Sequence, residues 1–159
     1  MAAEVVTVAQ LEAWVRRFAD LIAENRAYLT DLDSAIGDAD HGINMDRGMQ
    51  AVLAKLDATP PGVADELFKL VGMTLVSSIG GASGPLYGTF FLRFGSACGS
   101  RDTVSPDDLV KAFRAGVEGL VARAALAEVA GPALLRHHRD GVIAPPHGGA
   151  PGGGERLAR

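Results

Sequence analysis

Apolar residues along this chain recur at steps of three and four, and this spacing constrains the fold more than any other feature of the sequence. Such steps place side chains on one face of an α-helix. The first series follows Thr7, which forms a capping-box pattern with Gln10, and comprises Leu11, Trp14, Val15, Phe18, Leu21 and Ile22. No stretch shows the sustained alternation that is typical of β-strands. The sequence therefore predicts the all-α class, as an antiparallel up-and-down bundle with short loops.

Turn residues between the periodic segments predict about five full helices. The expected ranges are residues 8–29, 41–56, 63–78, 85–97 and 106 onward, with residues 30–42 as an acidic, glycine-punctuated loop. Pro85 suits the first turn of the fourth helix. Ser105 and Pro106 supply a cap and a proline at the first position of the fifth helix.

Residues 70–92 carry no charged side chain. An uncharged run of this length could span a bilayer. However, Gly80-Gly81 and Ser83-Gly84-Pro85 lie in its middle, where they break a helix. We therefore predict two buried helical pieces joined by a glycine turn, and no membrane span.

Composition narrows the partners and the compartment. The 159 residues fit one domain, and the net charge of −4 makes nucleic acid or an anionic membrane a poor partner. The single cysteine, Cys98, cannot form an internal disulfide, and the N-terminus lacks a signal-peptide pattern. These features favour a cytoplasmic protein in which Cys98 is a small buried hydrophobe and not a nucleophile.

The amino-acid composition of the chain changes near its C-terminus. Residues 1–130 are expected to form the helical domain, whereas residues 131–159 are rich in Gly and Pro and have little to bury. We therefore expect the second range to be a disordered tail.

Three carboxylates lie close together in the acidic loop, at Asp33, Asp38 and Asp40. Hard cations such as Mg²⁺ prefer oxygen ligands of this kind. His41 and Asn44 add hydrogen-bonding groups at the start of the next helix. The alternative is a surface loop in which aspartates form turns and cap a helix.

The second candidate segment is the glycine turn, residues 80–84, which runs into a helix. Such a turn exposes backbone N–H groups beside a positive helix end and can hold phosphate, with Ser83 as a further donor. The alternative is a tight turn between two packed helices. In an up-and-down bundle the acidic loop and the glycine turn lie at the same end, so we expect them to meet. If the phosphate ligand is ADP, the ligand and the three aspartates together carry a charge of about −6. One Mg²⁺ ion would leave about −4 and two would leave about −2, which favours two ions.

Two motifs carry a family resemblance: IGDADHGINMDRG at residues 36–48 and GMTLVSSIGGASGPLYGTFF at residues 72–91. Over about residues 5–123 the chain closely resembles the ADP-binding subunits L of bacterial dihydroxyacetone kinases and the equivalent C-terminal domain of the ATP-dependent enzymes. The resemblance implies an antiparallel barrel of eight helices with the nucleotide at one end. It also implies two Mg²⁺ ions on Asp33, Asp38 and Asp40, and ADP or ATP contacts from His41, Gly42, Ile43, Asn44, Ala82 and Ser83.

The resemblance further implies the reaction and its partners. In the phosphotransferase-dependent form, bound ADP is rephosphorylated by the phosphohistidine protein, subunit M, and the ATP then phosphorylates dihydroxyacetone on subunit K. A transcriptional regulator is a further partner that the resemblance suggests. A fatty-acid kinase domain shares the aspartate loop, but the His41-Gly42 pair and the SGPLYG stretch argue against it.

The match ends after Arg123, where the family pattern gives way to AALAEVAGP and then to the Gly/Pro-rich tail. This departure resembles a truncated or divergent end that lacks about three of the eight helices. We therefore expect a chain that folds poorly or leaves apolar helix faces exposed. A non-catalytic nucleotide-binding regulator and a non-functional remnant are the alternatives to a kinase subunit.

Overall fold

The computed structural model describes residues 4–35 and 37–139, with side chains described as far as Glu128. Within these residues the chain forms six α-helices and one pair of very short strands. The elements in chain order are β1 (Val6–Thr7), α1 (Val8–Glu24), α2 (Arg26–Ser34), α3 (His41–Ala58), α4 (Ala64–Ser78), α5 (Ser83–Cys98), β2 (Thr103–Val104) and α6 (Pro106–Arg139). The predicted all-α class is confirmed.

The helices pack side by side, with α4 between α3 and α5 and with α6 along the other side of α5. Glycines bring α4 and α5 together: a Cβ added to Gly72 would lie 2.9 Å from the carbonyl oxygen of Gly88. Further along the same two helices, Gly95 of α5 lies against the Cβ of Phe68 of α4. Since position 72 faces 88 and position 68 faces 95, the two helices are antiparallel. The start of α5 therefore lies beside the C-terminus of α4, and the contact of His41 with Ser83 places the start of α3 at the same end of the bundle.

The start of α1 follows its sequence signal. Thr7 Oγ1 accepts a hydrogen bond from the backbone N–H of Gln10 at 3.2 Å, and the Gln10 side chain accepts one from the backbone N–H of Thr7 at 2.9 Å. The prediction of no strands is wrong in one detail. Val6 and Thr7 pair antiparallel with Val104 and Thr103, and a two-residue strand is too short to show alternation in the sequence.

The predicted single helix over residues 8–29 is also wrong, because α1 ends at Glu24 and α2 begins at Arg26. Asn25 separates them: its backbone N–H and its side-chain amide both donate to the Leu21 carbonyl oxygen, at 3.1 and 2.8 Å. Such side-chain bonds compete with the helix ladder. The expected loop over residues 30–42 is correspondingly shorter, and α2 carries the chain as far as Ser34.

The later helix starts follow their predictions. Pro85 lies in the first turn of α5, and Pro106 is the first residue of α6. Ser105 Oγ accepts a hydrogen bond from the backbone N–H of Asp108 at 3.2 Å. The helix α6 continues through the expected domain boundary at residue 131 and reaches Arg139. The remainder of the predicted tail, residues 140–159, lies outside the described residues.

Aromatic rings tie α1 to the other helices of the core. The Trp14 ring lies 5.7–6.0 Å, between centroids, from rings on α4, α5 and α6, which belong to Phe68, Phe91, Phe94 and Phe113. Ring pairs at such distances add to the free energy gained by burying apolar area. Cys98 is buried beside this cluster as expected, and burial raises the pKa of its thiol to about 11.

Two further features concern the surface. None of the helices in the described part of the chain combines the length and the apolar character needed to cross a membrane. On α6 the side chains of Val110, Phe113, Val117 and Val121 are between 42% and 59% exposed. These four residues form one stripe, as the expectation of exposed apolar helix faces required.

Candidate functional site

The acidic segment and the glycine turn meet at one end of the bundle, as the sequence predicted. Between them lies a cavity of about 430 Å³, within the usual size range for small-molecule sites. Its walls are formed by the end of α2, the first turns of α3, and the turn before α5. The lining residues are Asp33, Asp38, Asp40, His41, Asn44, Arg47, Gly80, Gly81, Ala82 and Ser83.

Three carboxylates converge on one side of this cavity. One oxygen from each of Asp33, Asp38 and Asp40 can be chosen so that all three lie within 4.8 Å of one another. An all-oxygen, all-anionic donor set suits a hard divalent cation, which shares its remaining positions with water and phosphate oxygens. The chemistry of the residues present therefore fits Mg²⁺.

Asp33 reaches this cluster from the last turn of α2 and not from a loop. Its Oδ2 accepts hydrogen bonds from the backbone N–H groups of Asp40 and His41, at 3.1 and 3.3 Å. Asp40 itself makes no side-chain cap at the start of α3. Asp33 therefore takes over that task, since a carboxylate is stabilised by the free N–H groups and the positive end of a helix. This arrangement fixes α2 against α3 and holds Asp33 in place.

The backbone between the other two carboxylates has an unusual conformation. Ala39 has φ of 60°, in the left-handed region that residues with a Cβ rarely adopt. Strain of this kind costs on the order of 1–3 kcal/mol and is concentrated at functional sites. Here it accompanies a tight turn that brings Asp38 and Asp40 to the same cavity wall.

The Asp38 carboxyl has a raised pKa, and the direction of this shift is the result of opposing effects. The largest, a hydrogen bond from its own backbone N–H, lowers the pKa. A side-chain hydrogen bond with Asp40, the charges of Asp40 and Asp33, and partial desolvation together outweigh it. Crowded carboxylates resist ionisation in this way until a cation relieves their repulsion. The raised pKa therefore reflects the crowding of the three carboxylates.

The glycine turn forms another wall of the cavity. Gly81 has φ of 68°, which only glycine adopts without strain. Gly84 lies against the Ile79 carbonyl oxygen so closely that a Cβ there would collide with it. No side chain of the described residues caps the start of α5, so its first N–H groups remain available to an anion. Ser83 Oγ lies 3.1 Å from His41 Nδ1 and joins this wall to the start of α3.

Seven of the nine residues singled out in the sequence line the cavity, and two do not. Gly42 is buried against α2, where a Cβ would collide with the Arg26 carbonyl oxygen. Ile43 is 51% exposed and faces a separate surface depression beside Arg26 and Thr30. Contacts of Gly42 and Ile43 with a ligand therefore remain a prediction, and neither residue lines the cavity.

Sequence reasoning missed one charged residue of the site, Arg47. Its signal was present in the sequence, because Arg47 lies three residues after Asn44 and so occupies the same helix face. Its guanidinium donates to Asn44 Oδ1 at 2.8 Å and to the Ser78 carbonyl oxygen at 3.4 Å. It thereby links α3 to the last residue of α4.

The fold and the cavity together define a class, the helical bundles in which a carboxylate cluster and a glycine turn line one cavity. The comparison with protein families is specific: residues 35–131 match the model of the DAK2 domain. The chain belongs to the DAK2 domain family.

Three similar curated proteins are named as ADP-binding subunits. The PEP-dependent dihydroxyacetone kinase, ADP-binding subunit DhaL, of Escherichia coli is 45% identical over 118 residues, which cover 72% of this chain and 54% of that protein. The corresponding subunit of kinase 1 from Listeria innocua is 46% identical over 110 residues, with 69% and 55% covered. That of the PTS-dependent kinase from Lactococcus lactis is 44% identical over 110 residues, again with 69% and 55% covered. The chain spans about half the length of these relatives.

Proposed function

We propose that this chain is the ADP-binding component of a dihydroxyacetone kinase and takes part in phosphoryl transfer through ADP and ATP. The observation that carries the proposal is the single cavity that three carboxylates and the glycine turn line together. The names of the similar subunits support ADP as the ligand. Phosphoryl transfer suits such a site because it depends on positioning and charge neutralisation more than on a protein nucleophile.

Each wall has a separate task in this proposal. Asp33, Asp38 and Asp40 would hold two Mg²⁺ ions, which supply positive charge to the phosphates. The free N–H groups at the start of α5 and the Ser83 hydroxyl would bind phosphate oxygens. His41 and Asn44 would donate from the start of α3. The acidic cluster repels a bare nucleotide, so binding would depend on the metal.

The proposed partners rest on the same similarity. The similar proteins are named as subunits of PEP-dependent and PTS-dependent kinases. We propose that a phosphohistidine protein, subunit M, rephosphorylates the bound ADP, and that dihydroxyacetone is presented by subunit K. Contact with a transcriptional regulator is a further proposal, and the cytoplasm is the compartment that suits all these partners.

The test is a reconstituted reaction. The full chain is mixed with the subunits K and M of its source, the general phosphotransferase proteins, phosphoenolpyruvate, Mg²⁺ and catalytic ADP, and dihydroxyacetone phosphate is measured. We expect product that depends on this chain and is lost with Asp38→Asn. Binding of ADP without any transfer would instead make the chain a nucleotide-binding regulator. Absence of ADP binding would make it a non-functional remnant.

A further inference from the structure

Arg47 is the one basic side chain among the described residues that line the cavity, apart from the titratable His41. It has no carboxylate within ion-pair distance in the described part of the chain, where the ion pairs use Arg16, Arg17, Arg26, Arg101 and Lys111. Its contacts are instead with two uncharged oxygens, those of the Asn44 side chain and the Ser78 backbone. The positive charge of Arg47 is therefore not neutralised by a neighbouring ion pair.

The contact with Asn44 has a directional consequence. A guanidinium is a donor only, so the side-chain atom of Asn44 that receives its hydrogen bond at 2.8 Å is the carbonyl oxygen. The amide nitrogen of Asn44 must then point away from Arg47. Asn44 also lines the cavity, and its two amide protons donate to no protein atom among the described residues, so they are available to a ligand there. Without Arg47 the amide can turn over and present its oxygen, which repels an anion.

A second contact keeps Arg47 in place. Its Nε lies 3.4 Å from the carbonyl oxygen of Ser78, the last residue of α4. Carbonyl groups at a helix C-terminus are unsatisfied and favour a cation. The guanidinium is thus held between the second turn of α3 and the end of α4, beside the glycine turn that begins after Ile79.

We propose that Arg47 is a positioning residue for the diphosphate of a nucleoside diphosphate. It orients the Asn44 amide as a donor toward the phosphates and adds a fixed positive charge to a site with three aspartates. This inference rests on the proposed ADP binding. It also assigns Arg47 a role that a simple link between α3 and α4 would not have.

The experiment is a calorimetric titration of the full chain with ADP in the presence of Mg²⁺. The variants are Arg47→Ala, Asn44→Ala and the double variant, and Arg114→Ala on the exposed side of α6 is the matched control. We expect Arg47→Ala to weaken ADP binding about tenfold or more, as for loss of a hydrogen bond to a charged group. Arg114→Ala should bind ADP like the unmodified chain. Apo melting curves of all variants show whether each is folded at the titration temperature.

The double variant separates positioning from stability. If Arg47 acts through Asn44, the loss in the double variant is smaller than the product of the two single losses. If the loss of affinity in the double variant equals the product of the two single losses, the proposal for Arg47 is overturned. A lower melting temperature with unchanged ADP affinity in Arg47→Ala overturns it as well. In both cases the proposed ADP binding of the unmodified chain stands. No Mg²⁺-dependent binding by the unmodified chain overturns the proposed function as well. Should Arg47→Ala be unfolded, Arg47→Gln keeps part of the stem without the charge and is judged by the same criteria.

Discussion

His41 Nδ1 and Ser83 Oγ lie 3.1 Å apart, and they are the first residues of α3 and α5. A single hydrogen bond thus joins two helix starts that are 42 positions apart in the chain. Both residues line the cavity, so this contact links the part of the site that carries the carboxylates to the part formed by the glycine turn.

The first prediction concerns this contact. We expect Ser83→Ala to lower the free energy of unfolding by about 0.5–1.5 kcal/mol, the usual net value of one hydrogen bond. It should also weaken Mg²⁺-dependent ADP binding, because the wall loses a donor. Urea denaturation and calorimetry measure the two effects. Unchanged ADP affinity would show that the Ser83 hydroxyl serves the fold alone.

The second prediction concerns the close approach at Gly84. In Gly84→Ala the new methyl group collides with the Ile79 carbonyl oxygen, so the start of α5 must move. We expect a loss of about 1–3 kcal/mol in unfolding free energy, as for other overpacked sites, together with weaker ADP binding. Gly62→Ala is the control, since a Cβ at Gly62 meets no atom within 4 Å. Equal urea midpoints for the two variants would contradict the described geometry.

The third prediction concerns Trp14, whose ring joins α1 to rings on three other helices. Trp14→Ala should cost about 3 kcal/mol in unfolding free energy, near the low end for large aromatic truncations, because Trp14 is only half-buried. Trp14→Phe should cost less, as it keeps an apolar ring. Circular dichroism in urea measures both, and a Trp14→Ala midpoint equal to that of the unmodified chain would refute the core assignment.

The fourth prediction concerns acid. Hydrogen bonds from Arg101, Lys111 and Ser105 lower the pKa of Asp108 to about 2, against an ordinary value of 3.8. A depressed pKa in the folded state means that the charged form stabilises the fold above about pH 4, and that this contribution disappears as the pH falls through about 2. Asp108→Asn should therefore melt at a lower temperature at pH 7, with the difference from the unmodified chain shrinking from pH 4 to pH 2.

The control for this measurement is Asp107→Asn, one residue away in the first turn of α6. Asp107 has no ion pair among the residues that the structure describes. Its variant should change the melting temperature less than Asp108→Asn does at pH 7. A constant difference for Asp108→Asn across the acid range would contradict the assigned ion pairs.

Much of the helical layout could be predicted because its signals are local. The capping box at Thr7 and the Ser105-Pro106 pair act within one turn, and the structure reproduces both. The meeting of the acidic segment with the glycine turn could also be predicted, because antiparallel helices return the chain to the same end. The break at Asn25 could not, since it depends on an amide that turns back onto Leu21 and not on a change in apolar spacing.

The site was predicted in its acidic and glycine-rich parts and missed in others. Asp33 was expected in a loop, whereas it ends a helix and caps the next one through contacts seven and eight positions away. Arg47 was missed because its importance depends on a tertiary contact with the end of α4. The sequence analysis expected poor folding or exposed apolar helix faces without indicating a helix, and the structure places an exposed stripe on α6.

The central claim is that the three carboxylates and the glycine turn together bind a metal–nucleotide complex. The most direct test is calorimetric titration of the full chain with ADP, with and without Mg²⁺, for the unmodified chain and for Asp38→Asn. We predict one ADP per chain with Mg²⁺, little binding without it, and loss of the Mg²⁺-dependent part in Asp38→Asn. ADP affinity that is the same with and without Mg²⁺, or unchanged by Asp38→Asn, would contradict the account.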